Sequence, residues 1–212
     1  MDTVEEVKAI AKDYFTNSRG SHRWDHTLRV LRVAEHIAKA ESADLQTIQM
    51  AALLHDIGRA KEDQSNGEVD HAILGAELAE KILKKLHVDG NKTPNIIHCI
   101  ETHRFRGTKK PASLEAKILF DADKIDSIGA VGIGRAFLFA GEVGAKLHDK
   151  HVDIENTQPY TEDDTAYREY LVKLSKIKDR MLTNEGRRLA KERHQFMVEF
   201  FNRLNREIEG EL

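Results

Sequence analysis

Residues 51–60 read AALLHDIGRA. Four apolar residues run into His55 and Asp56, and the chain turns at Gly58. Asp44 is placed to cap a helix running to Gly58. Ile48 and Ala52 precede His55 at helical spacing, which puts that imidazole on the apolar face. Asp56 follows about 100° around the helix. Burying an isolated carboxylate is very costly. A core helix that ends in a His-Asp pair therefore implies an aspartate that is paired or bound to a metal.

The 3.6-residue period recurs over nearly the whole chain, and no alternating strand pattern of useful length appears. The sequence predicts an all-α protein. Helices are expected over 2–16, 22–41, 44–58, 70–87, 94–104, about 113–126, 127–140, from Thr161 onward, and about 185–209. Thr93-Pro94 reads as a cap followed by proline in the first helical position, and Ser127 and Asn184 read as further caps. The acidic run after Thr161 favours a helix start. Residues 59–69, 105–112 and 141–160 read as loops. One domain over 1–212 is expected, with a core over about 20–130 and C-terminal helices over about 160–210 packed on it. Phe196, Phe200, Phe201 and Leu204 on the last helix would dock on that core or on a second chain, which leaves a homodimer open.

Of the 212 residues, 40% are hydrophobic and 33% charged, with a formal net charge of −3. That balance suits a globular chain and gives no basic field, so no nucleic-acid partner is expected. Cys99 is the single cysteine, which excludes an intramolecular disulfide. No stretch approaches the ~20 apolar residues of a membrane span, and the first residues lack the apolar core of a signal peptide. A cytoplasmic location without a membrane partner is expected. The unusual feature is eleven histidines, several of them beside Asp or Glu.

His26 precedes Val30, Val33 and Ile37 by four, seven and eleven residues, so it lies on an apolar face near a helix start. Asp123 follows Leu119 by four residues and Phe120 by three. Read alone, His26 fits a hydrogen-bonded core residue better than a ligand. The adjacent His55-Asp56 pair points more strongly to metal or catalysis. Imidazole nitrogen with carboxylate oxygen suits Mn²⁺, Fe²⁺, Zn²⁺ or Mg²⁺. Two His and two Asp leave positions open for water and a phosphate oxygen.

The pattern His26 … His55-Asp56 … Asp123 resembles the HD-domain metal-dependent phosphohydrolase superfamily. The likeness extends through HTLRVLRVAEHIA, DHAILGAELAEKIL, ETHRFRG, LEAKILFDADKIDSIGAVGIGRAF and KLSKIKDRMLTNEGRRLAKERHQFMVEFF. These stretches resemble a small bacterial and archaeal branch, some of whose members are similar to nucleoside triphosphate pyrophosphohydrolases. The resemblance implies an HD-domain-like helical bundle with a C-terminal helical extension. It implies His26, His55, Asp56 and Asp123 as ligands of one divalent ion (Mn²⁺, Fe²⁺, Mg²⁺, Co²⁺, Ni²⁺ or Zn²⁺, with Mn²⁺ favoured). His71 and His103 fall where multi-metal members carry further His ligands. The branch resembles the single-metal type more closely, so both histidines are assigned to catalysis or to supporting the ligands, with a second metal left open. His98, five residues before His103, lies on another helix face and reads as structural.

Phosphate hydrolysis needs an activated water, charge neutralisation and a proton for the leaving group. Asp70 and His71 are candidates to position or deprotonate the water, although Asp70 is equally a helix cap. Lys124 is placed to meet a phosphate or to pair with Asp126. Arg104 and Arg106 stand beside His103, where they can grip phosphates bidentately. Arg23, with Trp24, could contact a base or ribose, or staple the helix start. Arg135 and Lys173, the latter with Tyr170, complete the substrate-binding candidates. GAVGIGR at 129–135 follows a helix rather than a strand, so no dinucleotide site is expected. The expected reaction converts a (deoxy)nucleoside triphosphate to the monophosphate and pyrophosphate. A 5′-nucleotidase, a phosphodiesterase and a non-catalytic metal- or ligand-binding module are the alternatives.

Overall fold

A computed structural model describes residues 2–15, 23–65, 67–104 and 109–212. Among these residues every regular element is a helix. The chain forms two compact units, Met1–Asp123 with Leu182–Gly186, and Lys124–Met181 with Arg187–Leu212.

The first unit contains α1 (Thr3–Asp13), α2 (Trp24–Glu41), α3 (Leu45–Leu54), α4 (Arg59–Gln64), α5 (His71–Lys85) and α6 (Thr93–Thr102), and most of α7 (Leu114–Ile125). Helix α3 is its centre and packs against α1, α2, α5 and α6. Ile48, Met50, Ala51, Ala52, Leu53 and Leu54 are all buried. A helix whose last five residues are apolar on every side has to be enclosed there by others. Each buried Leu or Ile contributes about 1.5–3 kcal/mol, so α3 is strongly anchored. Asp44 caps it as expected, accepting from Gln46 N at 3.0 Å and Thr47 N at 3.2 Å.

The helix stops at Leu54 rather than Gly58, because the chain turns through His55–Gly58 and starts again as α4. The polar stretch expected as loop is helical over Arg59–Gln64. Its Arg59 and Glu62 lie one turn apart and pair at 2.6 Å, and Glu62 is buried against other partners. Gly58 is demanded by a close approach. A Cβ there would run into the His71 carbonyl oxygen and stand 3.0 Å from Gly75 N. The first turn of α5 therefore passes directly over the turn that carries His55 and Asp56. At α6 the cap residue is Lys92, and Thr93 is already helical.

The second unit contains α8 (Gly129–Glu142), α9 (Ala166–Val172), a 3₁₀ segment (Leu174–Arg180) and most of α10 (Asn184–Ile208). Ser127 does not cap α8; its hydroxyl donates to Lys124 O at 2.6 Å and Ile128 is the cap residue. The helix expected from Thr161 begins at Ala166, because residues 161–164 close a turn and Thr165 accepts from Arg168 N at 3.1 Å. Arg168 also pairs with buried Asp164 at 2.8 Å and donates to Thr157 O at 3.0 Å, which ties down the end of the preceding loop. Phe201 is buried and stacks on Tyr170 at 4.6 Å, so this face of α10 docks within its own unit. Phe196 is 47% exposed. No helix among the described residues is long and apolar enough to cross a membrane.

Candidate functional site

The end of α3 delivers His55 and Asp56 into the interior of the first unit, where both are buried. The first turn of α2 brings in His26, also fully buried, and α7 brings Asp123, whose side chain is 15% exposed. His26 Nε2 lies 3.4 Å from Asp123 Oδ1 and 3.7 Å from Asp56 Oδ2. His55 Nε2 lies 3.7 Å from the same Asp56 oxygen. The four residues expected to converge do so, from three separate segments of the chain.

His71, the first residue of α5, and His103, the residue that closes α6, approach Asp56 from its other side. Their Nε2 atoms stand 3.5 and 3.7 Å from Asp56 Oδ1 and 3.2 Å from each other. Asp56 thus presents one oxygen to each of two groups. His26, His55 and Asp123 form one set of metal-type donors, and Asp56, His71 and His103 form a second.

Hydrogen bonds orient the three rings. His55 Nδ1 donates to Ala52 O at 2.7 Å, His103 Nδ1 to Ile100 O at 2.6 Å, and His71 Nδ1 to Glu62 Oε2 at 2.6 Å. Each Nε2 is thereby turned into the cluster. His55 Nε2 is buried and makes no hydrogen bond. Burial pushes the His55 pKa down to about 4, against the pull of Asp56. Burial likewise pushes His71 down to about 2. Neutral imidazoles and a carboxylate converging in a dry place fit a divalent cation, which needs ligands already deprotonated.

Glu62 and Arg59 border this cluster, and the sequence pattern does not single them out. Glu62 accepts from His71, from Arg59 Nη1 at 2.6 Å and from Arg104 Nη2 at 2.9 Å. Arg59 Nη2 lies 3.2 Å from His71 Nε2 and 3.5 Å from Asp56 Oδ1. The one available signal is Arg-x-x-Glu directly after the His-Asp pair, a helical i,i+3 spacing. Asp121 is a third such residue. Two residues before Asp123, it accepts from Leu182 N and Thr183 N, both at 2.8 Å, and from the Thr183 hydroxyl at 2.6 Å. These bonds fix the turn of α7 that presents Asp123.

Other candidates fall as follows. Asp70 caps α5 through Ala72 N at 2.8 Å and holds Arg104 Nη1 at 2.7 Å. Burial would raise the Asp70 pKa, but the Ala72 N–H and Arg104 outweigh it and lower the value. His98 accepts from Ala112 N at 2.9 Å, the structural role expected of it. Arg23 is exposed at the start of α2, and Trp24 packs on Phe15 with ring centres 5.5 Å apart, which is the staple. Lys124, Arg135 and Lys173 belong to the second unit. There Arg135 pairs with buried Asp126 at 2.6 Å, Lys173 pairs with Glu169 at 2.8 Å, and Lys124 is half-buried. Arg106 lies outside the described residues.

The HD domain family matches residues 23–128, the stretch that holds every residue of both donor sets. YpgQ of Bacillus subtilis is 34% identical over 98% of this chain and 94% of its own length. Its crystal structure in complex with ADP superposes with a TM-score of 0.75 at 31% identity, covering 97% of this chain and 94% of that one. An HD-superfamily hydrolase from Bacillus thuringiensis gives a TM-score of 0.78 at 27% identity, covering 98% and 97%. Ribonuclease Y of Mycoplasma mycoides is 36% identical over 124 residues, which are 58% of this chain and 22% of that one. The buried histidines and aspartates are thus the centre of a recognised architecture: the chain belongs to the HD domain family and is a metal-dependent phosphohydrolase.

Proposed function

We propose that this phosphohydrolase acts on a nucleotide. Its reaction is cleavage of a (deoxy)nucleoside triphosphate between the α and β phosphates, releasing the monophosphate and pyrophosphate. His26, His55, Asp56 and Asp123 hold one ion, Mn²⁺ for preference. The observation that carries this reading is the convergence of largely buried imidazole and carboxylate donors beside the guanidinium groups of Arg59 and Arg104. The ADP bound by YpgQ supports a nucleotide as ligand.

A divalent ion in such a place supplies a water acidified towards neutrality and a Lewis acid for a phosphoryl oxygen. The chain's own residues do the remainder. Ala52 O holds His55 in the ligating tautomer, and the Asp121 bonds keep α7 and Asp123 in register. His71 and His103 present Nε2 atoms that can accept the proton of the attacking water or pass one to the leaving group. Glu62 supports His71 in that task as a carboxylate supports a histidine base. Arg59 and Arg104 offset phosphate charge, with Arg23, Arg106, Lys124, Arg135 and Lys173 as further contacts to be tested.

The test is a panel of nucleoside mono-, di- and triphosphates assayed with several divalent metals, separating phosphate from pyrophosphate release. Pyrophosphate from triphosphates with Mn²⁺ is the expected result. Phosphate from monophosphates alone would replace it with a 5′-nucleotidase. The likeness to ribonuclease Y favours a phosphodiesterase as the second reading. Scission of an RNA oligonucleotide without pyrophosphate release from triphosphates would establish that reading instead.

A further inference from the structure

Two imidazoles of the cluster face each other through their Nε2 atoms. His71 donates from Nδ1 to Glu62, and His103 donates from Nδ1 to Ile100 O. Their Nε2 atoms stand 3.2 Å apart, and the Arg59 guanidinium donates to that of His71. Asp56 Oδ1 faces both rings at 3.5 and 3.7 Å. Acceptors crowded together in a buried place are costly unless a cation stands among them. The chain supplies one. Arg59 Nη2 is 3.2 Å from His71 Nε2 and 3.5 Å from Asp56 Oδ1, while Nη1 is anchored on Glu62 at 2.6 Å.

We propose that Arg59 is the built-in cation of the Asp56–His71–His103 set, and that it excludes a second divalent ion and keeps the enzyme at one metal per chain. The proposal rests on the metal reading of the cluster given above. A guanidinium and a divalent ion on the same acceptor atoms repel each other. A neutral residue at position 59 removes that repulsion and leaves one carboxylate and two imidazoles converging on one place, a donor set suited to Mn²⁺. Glu62 keeps its bonds to His71 and Arg104 in such a variant, so the ligating tautomer of His71 is retained.

The experiment compares the full chain as wild type, Arg59→Gln, Arg59→Ala and Arg59→Lys. Each is loaded with excess Mn²⁺, desalted, and measured for metal by mass spectrometry and for ion–ion coupling by low-temperature electron paramagnetic resonance. Circular dichroism melts establish that each variant is folded. The expected result is one Mn²⁺ and an isolated-ion spectrum for wild type and Arg59→Lys. Arg59→Gln and Arg59→Ala should take up two Mn²⁺ and give a coupled-pair spectrum. A single Mn²⁺ in the folded neutral variants overturns the proposal and leaves the metal reading standing. Two Mn²⁺ in wild type, a result that needs no variant to fold, also overturns it. No Mn²⁺ in wild type overturns both.

Discussion

Two sets of donors meet at Asp56, and they differ less in ligand type than in surroundings. On the Oδ2 side stand His26 and His55, with Asp123 3.4 Å from His26. The first turn of α2, the end of α3 and the last turn of α7 deliver these groups. On the Oδ1 side stand His71 and His103, with Arg59 already within reach of the same atoms and Glu62 and Arg104 behind it. The first residue of α5 and the last turn of α6 deliver them. Similar imidazoles serve different ends because the neighbouring charge differs. In the function proposed above one side holds the metal, and in the inference drawn from Arg59 the other holds a cation the chain brings itself and serves proton transfer.

The largest effect is expected where the two sides share an atom group. Asp56→Ala should lower turnover about a thousandfold, equivalent to about 4 kcal/mol, and should also strip the metal. Steady-state assays paired with metal analysis check this.

Acid should weaken the side that holds His55. Its pKa falls from the ordinary 6.5 to about 4 on folding, with burial as the main cause. Between those values the unfolded chain binds a proton that the folded chain does not. Stability of the metal-free protein therefore drops as pH falls from about 6.5 to about 4 and levels off below, by about 3 kcal/mol from this residue. His71 shifts in the same direction. Urea titrations at pH 7 and pH 5 measure the drop; equal midpoints would deny the burial of neutral imidazoles.

Gly58→Ala perturbs the crossing that brings the second side against the first. Its Cβ meets the His71 backbone, which cannot move as a side chain can. A loss of about 1–3 kcal/mol is expected, seen as a fall of about 2–4 °C in Tm per kcal/mol. Gly134→Ala is the control, since a Cβ there meets nothing within 4 Å.

His71→Ala sharpens the comparison most finely. It should reduce turnover by about 10–100-fold while the protein keeps its metal. Loss of metal equal to that of His55→Ala would show that the two sides act as one.

Much of the candidate metal centre is legible in the amino-acid sequence. Ile48, Ala52 and His55 share a helical face, and His26 and Asp123 occupy core positions of their own helices, so burial of ionisable groups follows from spacing alone. What is illegible depends on chain crossings. The expected loop after Gly58 is helical because Glu62 finds His71 and Arg104, partners nine and forty-two residues away that spacing along one helix does not reveal. Asp56 facing two sets depends on α5 passing over the 55–58 turn, which only the contact at Gly58 discloses. Thr161 carries the usual acidic start signal, yet the helix begins after the turn it makes, because the buried Asp164–Arg168 pair fixes the first turn of α9.

The central claim is that the cluster around His55 and Asp56 is the metal centre on which hydrolysis depends. The most direct measurement follows bound metal and nucleotide turnover together in wild type and Asp56→Ala. The account predicts that metal and turnover vanish together in the variant while its fold is kept. Undiminished turnover in folded Asp56→Ala would contradict it.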